Sequence, residues 1–385
     1  MKKLATIFLF LALISVLIVS GCGQAAPAPT SSAAKTTAPA ASTATTAPSS
    51  AAQPANVIEL RFSHHNPPQG RTTVKFLNAW AKKAEDATKG KIKITMYPAE
   101  SLAKSADNIQ AVTGGVADMA WLTLSNWPAR FPLTEVMGLP FMGLTSGKVD
   151  GRTLSGAGIN SHIIQQIYEE TPEMQAEWAT VKVLFIHTGD MTFPCTSKKQ
   201  IHTVADAQGL KIRMSGKFPM LMWQSLGASP LQIPMPDVYD AAQKGVIDGF
   251  SLPWSAIITN KLQEVFKFYS DLTTDQALFA VVINKDKWAS LPKDVQDGLL
   301  SVSGIAGAEF AGESGWGSDV GNEALAAIKQ QNLDIQKIPI DAGEYDKFLA
   351  AGKNMWEKWV AEVNAKNLPG QKVLEKANSL IAKYK

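Results

Sequence analysis

The stretch GLKIRMSGKFPMLMWQSLGASPLQIPMPDVYDAAQKGVIDGF, residues 209–250, decides how this chain folds. GLKIRM alternates as a strand, FPMLMWQSLG has helical spacing and stops at Gly227, and PLQI is a second strand. PDVYDAAQKG is a second helix closed at Gly245, and VIDGF a third strand. Strand, helix, strand, helix, strand is the grammar of a parallel α/β sheet. Leu210 and Ile212 fall on one face of the first strand, so Lys211 and Arg213 fall on the other. Arg213 is that strand's final residue, set just before a Ser-Gly turn.

The same grammar occurs earlier. VIELRFS, from Val57, alternates until prolines stop it, and TTVKFLNAWAKKAEDATKG puts Val74, Leu77, Trp80, Ala81 and Ala84 on one helical stripe with Gly90 as its stop. KIKITMYP, ADNIQAVTGG and VADMAW then read as strand, helix and strand. Aligning AVTGGVADMAWL with AAQKGVIDGFSL brings Gly115 onto Gly245, Val116 onto Val246 and Asp118 onto Asp248. Two lobes of like construction are implied. Past Asn284 the chain is mostly helical, with Ser290 a candidate N-cap and Pro292 just inside the helix. A strand-like LDIQKIPI follows, then a helix carrying Tyr345, Phe348, Leu349, Met355, Trp356, Trp359 and Val363 at core-packing spacing.

A chain of 385 residues, 45% apolar and 18% charged, has room for two core-bearing units. Its formal charge of +3 includes Lys2 and Lys3 of an export signal, so nothing in the charge points to nucleic acid. LATIFLFLALISVLIVS follows those lysines and ends in VSGC, which resembles a bacterial lipobox in which Cys22 is lipid-modified and becomes the first mature residue. The alternative is an uncleaved membrane anchor, and either way the body is tethered outside the cytoplasmic membrane. Residues 24–53 are almost wholly Ala, Pro, Ser and Thr, a leash of roughly 30 Å. Cys195 is then the one cysteine left, so the fold rests on its core rather than on a disulfide.

Catalytic chemistry finds little support. No G-x-S-x-G elbow or phosphate loop is present, GAGINS at Gly156 lacks a third glycine, and the His64-His65 pair lacks metal-ligand spacing. Neither cofactor nor metal is expected.

The run from Thr196 to Gly249 resembles the core signature of TRAP-transporter solute receptors, the DctP-like extracytoplasmic binding proteins. ELRFSHHNPP, DMAWLTLSNWPARFPLTEVMGLPF from Asp118 and INKDKWASLPKDVQ from Ile283 carry the likeness over nearly all the chain after the tether. The resemblance implies an α/β, two-lobed periplasmic-binding-protein-like fold with a ligand cleft between lobes, crossing strands and a long hinge helix. Expected bounds are 1–21 for the signal, 22–56 for the tether, 57–190 with about 278–317 for lobe I, and 191–277 with about 318–385 for lobe II. It also implies a monomeric receptor that passes an organic acid to an ion-gradient-driven TRAP permease.

Arg213 matches the family arginine that clamps the substrate carboxylate; its bland reading is a surface salt bridge. Where members binding sialic or dicarboxylic acids carry a second arginine, this chain has Phe193, and Leu252 replaces a family asparagine. Both changes favour a monocarboxylate with an apolar or aromatic body. The family topology adds His65, Asn66, Trp121, Ser125, Asn126, Met235 and Trp254 as cleft candidates. For His65 a loop or capping role stands equal to ligand contact, and for Trp121 and Trp254 core packing is a rival. Asp118 and Asp248 are expected to bind backbone at strand ends. An ATP-driven importer or a sensor kinase could use the same receptor, and a lipid-anchored enzyme is a further alternative.

Overall fold

Asp118 and Asp248 occupy equivalent places in the computed structural model, which describes residues 57–385. Asp118 accepts the backbone N–H of Arg61 at 2.8 Å and returns its own N–H to the Arg61 carbonyl at 3.0 Å. Asp248 accepts the N–H of Lys211 at 2.9 Å and returns its own to the Lys211 carbonyl at 2.7 Å. Gly115 and Gly245 both take the left-handed turn, with φ +73° and +69°, that lets each helix reverse into its strand. The export signal, Cys22 and the tether lie outside the described residues.

The strands are β1 (Ile58–Ser63), β2 (Ile92–Tyr97), β3 (Met119–Thr123), β4 (Ser146–Val149), β5 (Arg152–Ser155), β6 (Lys182–Met191), β7 (Phe193–Thr196), β8 (Lys211–Arg213), β9 (Ser229–Leu231), β10 (Gly249–Leu252), β11 (Phe268–Ser270), β12 (Gln276–Ile283) and β13 (Gln336–Ile338). One sheet runs β2-β1-β3-β12-β6 and another β13-β11-β7-β10-β8-β9; β4 and β5 form a hairpin. Read from its β9 edge, the second sheet repeats the first. The outer three strands are parallel, and the fourth, β12 or β7, runs antiparallel to both neighbours.

The chain crosses directly between sheets where β6 runs into β7 through Thr192 and where β11 runs into β12 through residues 271–275, besides a longer passage through the helices between β12 and β13. The two crossings are bonded to each other: Thr192 N–H donates to the Asp275 carbonyl at 2.7 Å, and Thr274 N–H to the Thr192 carbonyl at 3.0 Å. Asp275 is buried here, its carboxylate accepting Thr274 Oγ1 at 2.7 Å. Burial pushes its pKa up to about 6, with the Thr274 and Thr192 hydroxyls and the charge of Arg213 pulling the other way.

Helices flank both sheets. Helix Gly304–Trp316 lies so close to helix Gly156–Glu169 that a Cβ on Gly312 would stand 2.5 Å from the Ala157 carbonyl oxygen. The helical run continues as Asp319–Gln330 after a break at Gly317 and Ser318. The longest helix among the described residues, Glu344–Ala365, spans about 33 Å at 1.5 Å per residue. Its Trp356 and Trp359 indoles donate to Pro140 and Pro132, and it packs on helix Lys217–Ser225 of the second sheet's layer.

Two expectations need correction. Val74 is 43% exposed and Phe76 fully buried in its place, because Thr73–Leu77 is a π turn whose wider repeat rotates the stripe before helix Asn78–Ala87 begins. Ser290 ends helix Lys285–Ser290, and Pro292 is the N-cap of the next helix, Lys293–Ser301. The C-terminal helix Gly370–Tyr384 packs on both helix Glu344–Ala365 and helix Gly156–Glu169, and the Tyr384 hydroxyl meets His162 of the latter at 3.2 Å.

Two outcomes follow from this frame. Gly312→Val should lower stability by about 1–3 kcal/mol in urea unfolding, since backbone must move to admit the side chain. For Asp275, a folded pKa above the unfolded value means that its contribution is complete below the unfolded pKa and is lost as pH rises through about 6. Asp275→Asn should therefore melt increasingly above wild type from pH 4 to pH 8, with a gain of about 2–3 kcal/mol at the upper end. A constant difference across that range would contradict the assignment.

Candidate functional site

Arg213 ends β8 between β10 and β9, paired with Phe250 and Leu231. Ile212 turns into the core, so the arginine turns to the opposite face at the carboxyl edge of the sheet, where open α/β sheets bind ligands. Its side chain does not reach solvent. The residue is 5% exposed, and Nε donates to the Ile233 carbonyl at 3.0 Å, which fixes the guanidinium plane. Among the described residues no acceptor lies within hydrogen-bond range of Nη1 or Nη2, and no carboxylate pairs with them. Burial lowers the pKa to about 10, partly offset by Asp275, so the group stays cationic at neutral pH. The surface salt bridge is thereby replaced by a buried, unpaired fork.

The fork opens into a cavity of about 70 Å³ between the two sheets, joined to a recess of about 320 Å³ and, towards the mouth, a cleft of about 540 Å³. Arg213, His65, Thr123 and Met235 line both the cavity and the recess. The His65 ring lies on Trp121, centroids 5.0 Å apart and nearly parallel. Burial pushes its pKa down to about 4, Glu100 opposing and Arg213 reinforcing the shift, so it is neutral and has a single N–H to give. Its Nδ1 has no partner within the protein.

The aromatic wall continues from Trp121 to Phe279 at 4.7 Å and from Phe279 to Trp316 at 5.3 Å. Trp121 is held by its indole N–H, which donates to His187 Nε2 at 2.9 Å. That nitrogen must then be unprotonated, so His187 carries its proton on Nδ1 and donates it to the Thr188 carbonyl at 3.1 Å. Burial keeps this histidine neutral, at about 3, against the help of that bond. Trp121 thus serves both as core and as cavity wall.

The other candidates divide. Asn66 lines the cavity. Ser125 and Asn126 line the recess, Asn126 Nδ2 donating to Ser105 Oγ at 2.7 Å, while the Ser125 carbonyl accepts Gln232 Nε2 at 2.8 Å across the mouth. Phe193 and Trp254 do not line the cavity. Phe193, paired with Leu252 across β7 and β10, packs 4.8 Å from Trp254 and 5.8 Å from Tyr269, and Trp254 is on the flank of its helix that closes this cluster. The cavity face of that helix, Trp254–Thr259, presents Ser255, Ala256 and Thr259 instead. Leu252 does line the cavity.

Sequence reasoning missed Thr123, Ser255, Thr259, Phe279 and Trp316. Thr123 ends β3 as Arg213 ends β8, so the sheet-edge rule alone reaches it. Phe279 sits in an apolar strand and Trp316 at a helix end, with no local signal that separates them from core.

This arrangement can bind a small anion with an apolar body: a buried fork and a neutral imidazole at one end, stacked rings beyond. Known proteins share the fold around it. The C4-dicarboxylate-binding periplasmic protein DctP of Rhodobacter capsulatus is 27% identical over 318 residues, 80% of this chain and 86% of that protein. A TRAP solute binding protein from Rhodoferax ferrireducens T118, solved with copurified benzoate, superposes with a TM-score of 0.76 at 27% identity, covering 85% of this chain and 98% of that one. A marine metagenome TRAP solute binding protein specific for aromatic acid ligands, solved with 3-hydroxybenzoate, gives 0.76 at 28% identity, covering 85% and 99%. Residues 62–363 match the bacterial extracellular solute-binding protein family 7 (DctP), and the chain, with its two lobes and intervening cleft, belongs to that family.

Proposed function

We propose that this protein is an extracytoplasmic receptor, not an enzyme, that captures an aromatic or branched monocarboxylate and delivers it to an ion-gradient-driven TRAP permease. The observation that carries this reading is the Arg213 guanidinium, buried at the head of the cavity with two free parallel N–H donors. That geometry complements one carboxylate. His65 adds a neutral donor beside it, and Trp121, Phe279 and Leu252 supply a dry, planar wall for the body of the acid.

A dicarboxylate fits less well, despite the dicarboxylate-binding relative. Arg213 is the one cation lining the cavity and its recess among the described residues, so a second carboxylate would be buried with no cation to pair with it. The relatives solved with benzoate and 3-hydroxybenzoate support the aromatic choice. Lobe I comprises 57–190 with about 278–317, and lobe II 191–277 with about 318–385. Capture follows from the lobes closing on the ligand, driven by its greater affinity for the shut form. The mature chain is held at the membrane by lipid on Cys22 and acts as a monomer.

Titration calorimetry with benzoate and succinate tests the substrate class: benzoate should bind and succinate should not, and the reverse would end this reading. Arg213→Ala should weaken benzoate binding at least about hundredfold with the fold intact by circular dichroism. Arg213→Lys should not restore it, because a point charge lacks the fork. Lysine rescue to wild-type affinity would remove bidentate geometry from the account. For the anchor, Cys22→Ala should abolish incorporation of labelled fatty acid and release the protein from membranes; continued membrane retention would point to an uncleaved signal.

A further inference from the structure

The cavity has polar lining besides Arg213 and His65. Ser255, Thr259 and Asn260 line the cavity but not the recess, which Arg213, His65 and Thr123 line as well. Ser255 is fully buried, and neither its Oγ nor Thr259 Oγ1 has a hydrogen-bond partner. Hydroxyls in helices usually bond back to a carbonyl one turn earlier. Here the one-turn helix offers little: Asn260 occupies the Ala256 carbonyl with both its backbone N–H and its side-chain amide, and the hydroxyls remain free. A four-residue separation sets both hydroxyls on the helix face that lines the cavity.

We propose that Ser255 and Thr259 receive a hydroxyl carried by the ligand besides its carboxylate, so that the preferred cargo is a hydroxylated aromatic acid. This rests on the reading of Arg213 as the carboxylate clamp. Two adjacent hydroxyls can give one hydrogen bond and take another, which is the complement of a hydroxyl group. A second carboxylate would find no further cation, and an ammonium group no carboxylate, among the described lining residues. The relatives leave the point open, since one was solved with benzoate and another with its 3-hydroxy derivative.

The test is calorimetric titration of the purified protein with benzoate, phenylacetate and the 3- and 4-hydroxy derivatives of each. Wild type should bind at least one hydroxylated acid about tenfold or more tighter than its parent acid. That preference should fall to about twofold or less in the Ser255→Ala, Thr259→Val double variant, with melting temperatures measured alongside to establish that the variant is folded. Parent acids binding as tightly as every hydroxylated one, or a preference that survives in the folded double variant, would overturn the assignment while leaving the carboxylate clamp in place. If the double variant does not fold, the single variants decide by the same ratio. Failure of all six acids to bind wild type would bring down the clamp reading and this one with it.

Discussion

An arginine kept out of water with both terminal nitrogens unpaired is the constraint on which the cleft depends. Such a cation is costly to bury, and the protein does not neutralise it internally. Asp275 is the carboxylate that acts on it, but from outside ion-pair distance. The two groups are displaced in the directions burial dictates, Arg213 down to about 10 and Asp275 up to about 6. Mutual attraction therefore falls short of desolvation for both. A carboxylate arriving from outside supplies what Asp275 does not, and its approach is rewarded by a charge-assisted pair in a low-dielectric site.

Placing that fork between two bodies turns binding into closure. The pseudo-repeated sheets are linked covalently at Thr192, at residues 271–275 and again through the helices between β12 and β13. Other bridges reach across without covalent support. Gln232 donates to the Ser125 carbonyl at the mouth, and Arg71 binds the carbonyls of Ser314 and Gly315 together with Asp319 and Glu323, spanning the break in the helical run at Gly317. These are few and partly exposed bonds, of the kind a hinge can exchange. A ligand held by Arg213 from one lobe and by Trp121 and Phe279 from the other adds contacts that exist only when the lobes are together.

Local patterns made the two sheets legible. Alternation gave β1, β2 and β8, and the aligned Gly115-Val116-Asp118 and Gly245-Val246-Asp248 segments gave the repeat, because each glycine and aspartate performs a backbone task that leaves a mark on the sequence. Arg213 was legible for the same reason, as a polar residue at a strand end. Phase was lost where the helix repeat changed: a π turn has no distinct residue signature, so Val74 and Phe76 exchanged places. The site was lost where it is assembled from remote segments. Phe193 and Trp254 carry chemistry suited to a ligand wall, yet they pack on each other in the apolar cluster of the second sheet, Trp254 by the rotation of its helix. Ser255 and Thr259, which carry no conspicuous motif, are turned to the cavity by that same rotation.

The most direct measurement is a crystal structure of the protein soaked with benzoate or purified with its natural cargo. The account predicts a carboxylate lying in the plane of the Arg213 guanidinium, within about 2.7–2.9 Å of Nη1 and Nη2, with the ring against Trp121 and Phe279. A ligand found elsewhere with Arg213 folded onto Asp275, or a carboxylate held by other groups while the fork stays empty, would contradict it.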